Sequence, residues 1–189
     1  MELVDPGFLE CDMSTWNYIL HPRPVVIVIS GDWVEYSAMA ASWVMPVSRR
    51  PPIVAIAIAR SRYTYELILK YREFSLCVLD SKHAAQVHKL GTVSGRNIKD
   101  KIGYVGLTKA RSSKIRAPII KESLAVAECV LKNAVEAGDH DIVIGNVVLT
   151  YIRRSLELQN PKSYKPLLHV GGNRYTYPSD ELIEVKDIQ

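Results

Sequence analysis

LAVAECVLKNAVEAGDHDIVIGNVVLTYIR, residues 124–153, consists of two long strand-like stretches, Leu124 to Glu136 and Ile142 to Arg153, around the tetrapeptide Ala137-Gly138-Asp139-His140. The tetrapeptide is a hairpin signal, with Gly138 available for the positive φ that a short turn requires. Two apolar stretches joined by so tight a turn predict antiparallel pairing.

Working outward, His21-Pro22-Arg23-Pro24 keeps helix from running into the next segment. That segment, Val25 to Ile29, is a continuous β-branched run that reads as a buried strand. Ser30-Gly31-Asp32 supplies turn chemistry. Val34 to Val47 mixes small and apolar residues, Arg49-Arg50-Pro51-Pro52 is a tight exposed connection, and Ile53 to Ala59 is another buried-strand run. A helix is predicted from Ser61, with Tyr65, Ile68 and Leu69 on one side and Glu66, Lys70 and Arg72 on the other. Ser61 and Thr64 are its N-cap candidates. Phe74 to Leu79 returns to strand, and a second helix over Ala84 to Leu90 is expected to stop at Gly91. Thr92 to Arg116 is polar, basic and weakly periodic, an irregular excursion with a short helix near Asn97 to Ile102. The tail after Ser155 is looser and carries one short strand candidate, Leu167 to Val170. This order does not alternate β and α, so a doubly wound parallel sheet does not fit. A mainly antiparallel barrel with helices over its ends does.

The chain has 189 residues, which suits one domain, and its 48% hydrophobic and 23% charged residues allow a real core. The net charge of +4 comes from 24 basic and 20 acidic residues spread along the sequence. That lacks the concentrated basic stripe of a nucleic-acid binder, so no nucleic-acid partner is expected. Local positive excesses suit a small phosphorylated anion instead. Cys11, Cys77 and Cys129 form no C-x-x-C pair, which argues against a zinc site or redox dithiol and for reduced thiols in a cytoplasmic protein. The histidines show no metal-ligand spacing, so no metal is expected. Met1 to Met13 is acidic and lacks the apolar region of a signal peptide. No apolar run approaches the roughly 20 residues of a membrane helix, so no membrane partner is expected.

The chemistry concentrates between residues 40 and 64. Ala40-Ala41-Ser42-Trp43-Val44-Met45-Pro46-Val47-Ser48 offers small residues that let backbone amides approach a flat ligand, together with hydroxyls and one large aromatic. After the next strand, Arg60, Ser61, Arg62 and Thr64 stand at the start of a helix. Free N–H groups and partial positive charge make such a start a natural phosphate site, and arginine adds charge-assisted hydrogen bonds. The plain alternative is a capped helix with solvated arginines. Gly91-Thr92-Val93-Ser94-Gly95 is no G-x-S-x-G nucleophile elbow, because its serine is displaced by one.

Residues 42–64, with Ser-x-x-x-Pro-Val-Ser-x-x-Pro-Pro, a hydrophobic strand and Ser-x-x-Thr, resemble the flavin-binding core of the flavin reductase-like, flavoredoxin-type FMN-binding split-barrel proteins. Tyr65-Glu66-Leu67-Ile68, Ser94-Gly95-Arg96 with Asp100-Lys101, Gly138-Asp139-His140 and His169-Val170-Gly171-Gly172-Asn173-Arg174-Tyr175 continue the resemblance in order, over roughly residues 22–175, with a C-terminal arm after 155. The resemblance implies a mainly β fold, an antiparallel Greek-key split β-barrel spanning residues 1–189 as one domain. It implies non-covalent FMN, with Ala40, Ala41, Ser42, Trp43, Val44, Met45, Val47 and Ser48 along the isoalloxazine and ribityl chain, largely through backbone groups. Ser61, Arg62 and Thr64 would hold the phosphate. Ser94, Gly95, Arg96 and Lys101 would reach the flavin from the excursion, and His140 would help seat the nicotinamide of NADH or NADPH. Many members carry Thr or Ser where this chain has Ala40, Trp43 and Met45, which changes the flavin's surroundings. The function implied is electron transfer from NAD(P)H through FMN to free flavin, ferric iron or a protein partner, in a homodimer. The alternative is an FMN-binding electron carrier without a nicotinamide site. The basic run Lys109, Arg111, Lys114 and Arg116 is either a solvated loop or a receiver of nucleotide phosphates.

Overall fold

The computed structural model describes residues 7–184; the start of the acidic lead-in, residues 1–6, lies outside the described residues. A 3-10 helix over Met13–Leu20 comes first. The strands β1 (Arg23–Pro24), β2 (Val26–Gly31), β3 (Tyr36–Ala41), β4 (Val44–Arg49) and β5 (Pro52–Ala59) come next, then α1 (Tyr63–Tyr71) and β6 (Glu73–Val78). After them stand α2 (Ala84–Thr92), α3 (Lys101–Tyr104), β7 (Lys109–Ala110), β8 (Ile119–Ile120), the long pair β9 (Ala125–Ala137) and β10 (His140–Ile152), and the arm strands β11 (Leu168–Gly171) and β12 (Arg174–Thr176).

The predicted hairpin is the spine of the sheet. β9 and β10 pair antiparallel from Ala137 opposite His140 to Ala125 opposite Ile152, and Gly138 turns the chain with φ of 70°. Seven strands join in the order β3-β2-β6-β9-β10-β5-β4. The two edge strands, β3 and β4, are consecutive in sequence. Laid flat, seven strands at about 4.8 Å would hold them about 29 Å apart, whereas the link Ser42-Trp43 spans at most about 11 Å. The sheet must therefore curl until its edges meet at that corner. The product is a barrel closed at one corner and split elsewhere.

Curling gives β2 two buried faces, which is why its sequence reads as an unbroken apolar run. Val26 and Val28 point into the barrel with Ile56, Phe74 and Val143, where α1 adds Tyr65 and Ile68. Val25, Ile27 and Ile29 point outward, where Val87 and Leu90 of α2 and Ile102 of α3 cover them. Fully buried Glu128 on β9 ties down the basic excursion, accepting hydrogen bonds from the Ser113 amide (2.8 Å), the Lys114 amide (2.6 Å) and the Tyr151 hydroxyl (3.0 Å).

Several boundaries differ from expectation. Val34 to Val47 is two strands rather than a mixed segment. Ser30 and Gly31 stay in β2, and the turn falls at Asp32, whose carboxylate takes the Val34 and Glu35 amides (both 2.7 Å). Neither Ser61 nor Thr64 caps α1: the N-cap is Arg62, with no side-chain cap, because Thr64 is turned inward toward Ser37. Gly91 does not stop α2, which runs on to Thr92; a Cβ at Gly91 would make only an ordinary contact, 3.4 Å, with the Ala40 Cβ of β3. The short helix near Asn97 begins later, at Lys101, because the Asp100 carboxylate caps it through the Gly103 amide (3.0 Å).

Candidate functional site

β5 ends against the start of α1, and the chain after α2 folds back over the same place. Between them lies a cleft of about 340 Å3 that reaches Ser37 and Met39 on β3 and His140 on β10. Helix α1 opens it. The first backbone N–H groups of a helix have no partner within it and carry its positive end, and no side chain caps them here. Arg62, at the cap position, donates to the Gly91 carbonyl (3.3 Å). The Thr64 hydroxyl donates to Ser37 Oγ (2.9 Å), which leaves the Ser37 proton free for the cleft.

Lys101 closes the far wall. Its side chain is buried, yet Nζ donates to the carbonyls of Leu90 (2.8 Å) and Val93 (2.7 Å), at the end of α2. Two of its three N–H groups are thereby used, and one remains without a protein partner among the described residues. Burial, reinforced by the nearby Arg62 cation, pulls its pKa down to about 8. Gly95 lets the loop close onto the barrel: a Cβ there would stand 2.4 Å from Ser37 Oγ. Among the described residues no carboxylate lines this cleft, while Arg62 and Lys101 do, so the charge they give it is positive.

A second cavity, about 320 Å3 and mostly apolar, lies beside the closed corner and is lined by Arg23, Ser42, Trp43, Val44, Met45 and Ile142 among others. A stacked pair joins the two spaces: Trp43 and His140 lie with ring centroids 4.9 Å apart and planes 29° apart. His140 Nδ1 is held by Asp139 (2.8 Å), and the Arg23 guanidinium sits 5.5 Å from the Trp43 ring. β3 and β4 are sheet edges, and edge strands carry backbone N–H and C=O groups that no neighbouring strand pairs.

Of the residues singled out in the sequence, Ser61, Arg62, Thr64, Ser94, Gly95, Lys101 and His140 come together around the first cleft. Ser42, Trp43, Val44 and Met45 come together around the second cavity. The Ala40 side chain packs toward α2 and that of Ala41 into the barrel, so only their backbone faces outward from the edge. Val47 and Ser48 lie on the outlying half of β4 and line neither space. Arg96 turns away to Glu66 and to the Ser61 carbonyl (3.0 Å) and lines the neighbouring groove. Sequence reasoning missed Ser37, Met39 and Tyr63; a buried serine inside the apolar run of β3 is the one signal that marks the first of them. Among the described residues, no group of three or more His, Cys, Asp or Glu is placed to hold a metal ion.

The class defined so far is an antiparallel split barrel whose free edges meet beside a cationic, hydroxyl-lined cleft. Residues 18–178 match the Flavin reductase like domain, and the chain belongs to that family, one of flavin-linked electron transfer. An uncharacterized protein of Aeropyrum pernix is 35% identical over 85% of this chain and 62% of its own length. One from Pyrococcus abyssi is 34% identical over 87% of this chain and 95% of its own. Among solved structures, an FMN-binding protein from Thermus thermophilus with bound p-hydroxybenzaldehyde superposes with a TM-score of 0.81 at 25% identity, covering 98% of this chain and 97% of that one. No helix among the described residues is long and apolar enough to cross a membrane.

Proposed function

We propose that this chain binds FMN non-covalently and passes electrons from NADH or NADPH through it to an acceptor, whether free flavin, ferric iron or a protein partner. The observation that carries this reading is the first cleft, where the open start of α1, Arg62, Lys101 and several hydroxyls surround one space that no carboxylate enters. A phosphate dianion is what that set stabilises. Ser61, Arg62 and Thr64 would hold it, with the Ser37 proton, Ser94 and the spare Lys101 N–H completing the shell. That the similar Thermus thermophilus structure is of an FMN-binding protein supports FMN as the ligand.

The fit extends to the ring. The apolar cavity beside Trp43 and Met45 suits a flat heteroaromatic, and the unpaired edges of β3 and β4 offer backbone partners for the polar side of the isoalloxazine along Ala40 to Ser48. FMN held there would supply hydride acceptance and the release of electrons singly or in pairs. The chain's own tasks are to hold the phosphate, orient the ring and leave one face open. His140, held by Asp139 at the junction of the two spaces, is the residue assigned to seat the nicotinamide. A cytoplasmic homodimer is part of the reading. Cys77 and Cys129 are buried, and burial raises both thiol pKa values, that of Cys129 to about 12, which disfavours the reactive thiolate.

The test is an absorbance spectrum of purified protein after incubation with FMN, followed by anaerobic NADH and then NADPH. Protein-bound yellow bands that bleach on nucleotide addition are expected. Bands that persist would leave a flavin carrier reduced by another protein. No bound flavin at all would end the reading.

A further inference from the structure

Where the chain enters β3, three consecutive residues reach three different walls of the first cleft. The Glu35 carboxylate accepts from the Tyr63 hydroxyl in the first turn of α1 (3.0 Å), and Ser37 Oγ accepts from Thr64 of the same turn. Tyr36 stands between them, and the alternation of the strand sends its side chain to the opposite face. There the ring is buried in the cluster that contains Ile102 of α3. Its hydroxyl donates to Asp100 Oδ1 and accepts from the Ile102 amide (3.3 Å). Asp100 and Ile102 flank Lys101, so one phenol oxygen grips the chain on both sides of the lysine.

Lys101 needs such a hold. α3 has only four residues, and so short a helix is not stable on its own hydrogen bonds. Yet from it Nζ must reach the Leu90 and Val93 carbonyls at the rim of the cleft. The nearest carboxylate in sequence is kept from pairing with it. Asp100 takes the Tyr36 hydroxyl and the Gly103 amide (3.0 Å). These two hydrogen bonds, with the Lys109 cation nearby, hold its pKa below the usual carboxylate range. What faces Lys101 is therefore the two carbonyls of α2 and the Arg62 cation of α1. Filling the core would be met by a phenylalanine at position 36; the hydroxyl is the part that packing does not explain.

We propose that Tyr36 is a positioning residue for the anion cleft: its hydroxyl fixes the start of α3 and so keeps the Lys101 ammonium at the cleft wall. That the anion is the phosphate of FMN rests on the function proposed above; the hold on Lys101 does not.

Tyr36→Phe removes the oxygen alone, and FMN titration at pH 7 is expected to show an affinity about fivefold lower. In a Lys101→Met background the same substitution should cost nothing further, because its effect passes through the lysine. The pH at which affinity falls should also move up by about one pH unit in Tyr36→Phe, since a loosened Lys101 regains water and more of its ordinary basicity. Urea unfolding of the flavin-free chain between about pH 8 and 10.5 needs no ligand. There Lys101→Met should shift the midpoint less in the Tyr36→Phe background than in the wild-type one. Unchanged FMN affinity in Tyr36→Phe, a loss that persists in full beside Lys101→Met, or a profile that drops without moving along the pH axis would each overturn the proposal. A wild-type chain that binds no FMN would sink the flavin reading. Unfolding would then decide the hold on Lys101 by itself: equal midpoint shifts in the two backgrounds overturn it, and unequal ones leave it standing.

Discussion

Lys101 is a buried cation held by two carbonyls at the edge of the cleft, and burial pulls its pKa down to about 8. The unfolded-state value is about 10.4, so the unfolded chain binds the proton more tightly than the native one across roughly pH 8 to 10.5. Stability attributable to this group therefore rises with pH through that window. Urea midpoints of wild type compared with Lys101→Met should diverge there in favour of wild type; parallel curves would remove the shift. Anion binding has the opposite sign, because the phosphate needs the protonated form, so FMN affinity is expected to fall as pH climbs through about 8 and to stay flat in Lys101→Met. At pH 6.5, where Lys101 is charged, Arg62→Ala should weaken FMN by about 1.5–3 kcal/mol, the range for hydrogen bonds to charged groups; unchanged affinity in a flavin titration would remove Arg62 from the phosphate site. Arg62 and Thr64 were legible because they sit at a helix start after a strand. The Ser37 contact was not, since it joins residues 27 positions apart across β3 and α1, a pairing that no local spacing encodes.

At the scale of elements, β10 shows how a single glycine makes room for a core ring. Its register against β9 slips between Ile144 and Gly145, and fully buried Phe74 of β6 lies over the gap: a Cβ on Gly145 would stand 2.4 Å from Phe74 Cζ. A ring locked in a dense core yields poorly, so Gly145→Ala should cost about 1–3 kcal/mol of unfolding free energy. Phe74→Leu in the same chain should recover part of it, which denaturant unfolding of the double variant measures; full additivity would show that the ring is not what resists the methyl. The elements themselves were largely readable from period and punctuation, as the β9–β10 hairpin was. What escaped was set by tertiary contact. Gly91 reads as a helix stop, yet α2 runs one residue past it, packed against β3 at Ala40. Asn97 to Ile102 reads as helix, yet the Asp100 cap lets helix begin only at Lys101.

At the scale of the whole molecule, the barrel is dressed on one side only. α2, α3 and the excursion cover the outer face of β3, β2 and β6. Among the described residues no helix covers the outer face of β4, β5, β10 and β9, and its cross-strand rows are largely apolar: Met45, buried Ala55 and Ile144, continued by Asn133, in one, and Ala57, Ile142 and Val135 in the next. Met45 is 57% exposed and Val135 42%. Large exposed apolar patches are commonly sites of association, and the proposed homodimer would seat a second copy of the chain on this one. The apolar cavity beside Trp43 opens among these same residues, with Met45, Ala55, Ala57 and Ile142 in its wall. A partner seated on the face would therefore close the ring's end of the site as well as bury the rows. Dimerisation and flavin affinity should then fail together. Ile144→Glu places a charge at the middle of the face while leaving the barrel interior untouched. It is expected to sediment as a monomer where wild type sediments as a dimer, and to bind FMN at least about tenfold more weakly, the factor that about 1.4 kcal/mol represents. A monomeric variant with undiminished affinity would separate the two and make the site complete within one chain. A wild-type protein that is monomeric at full flavin affinity would remove the dimer from the reading altogether.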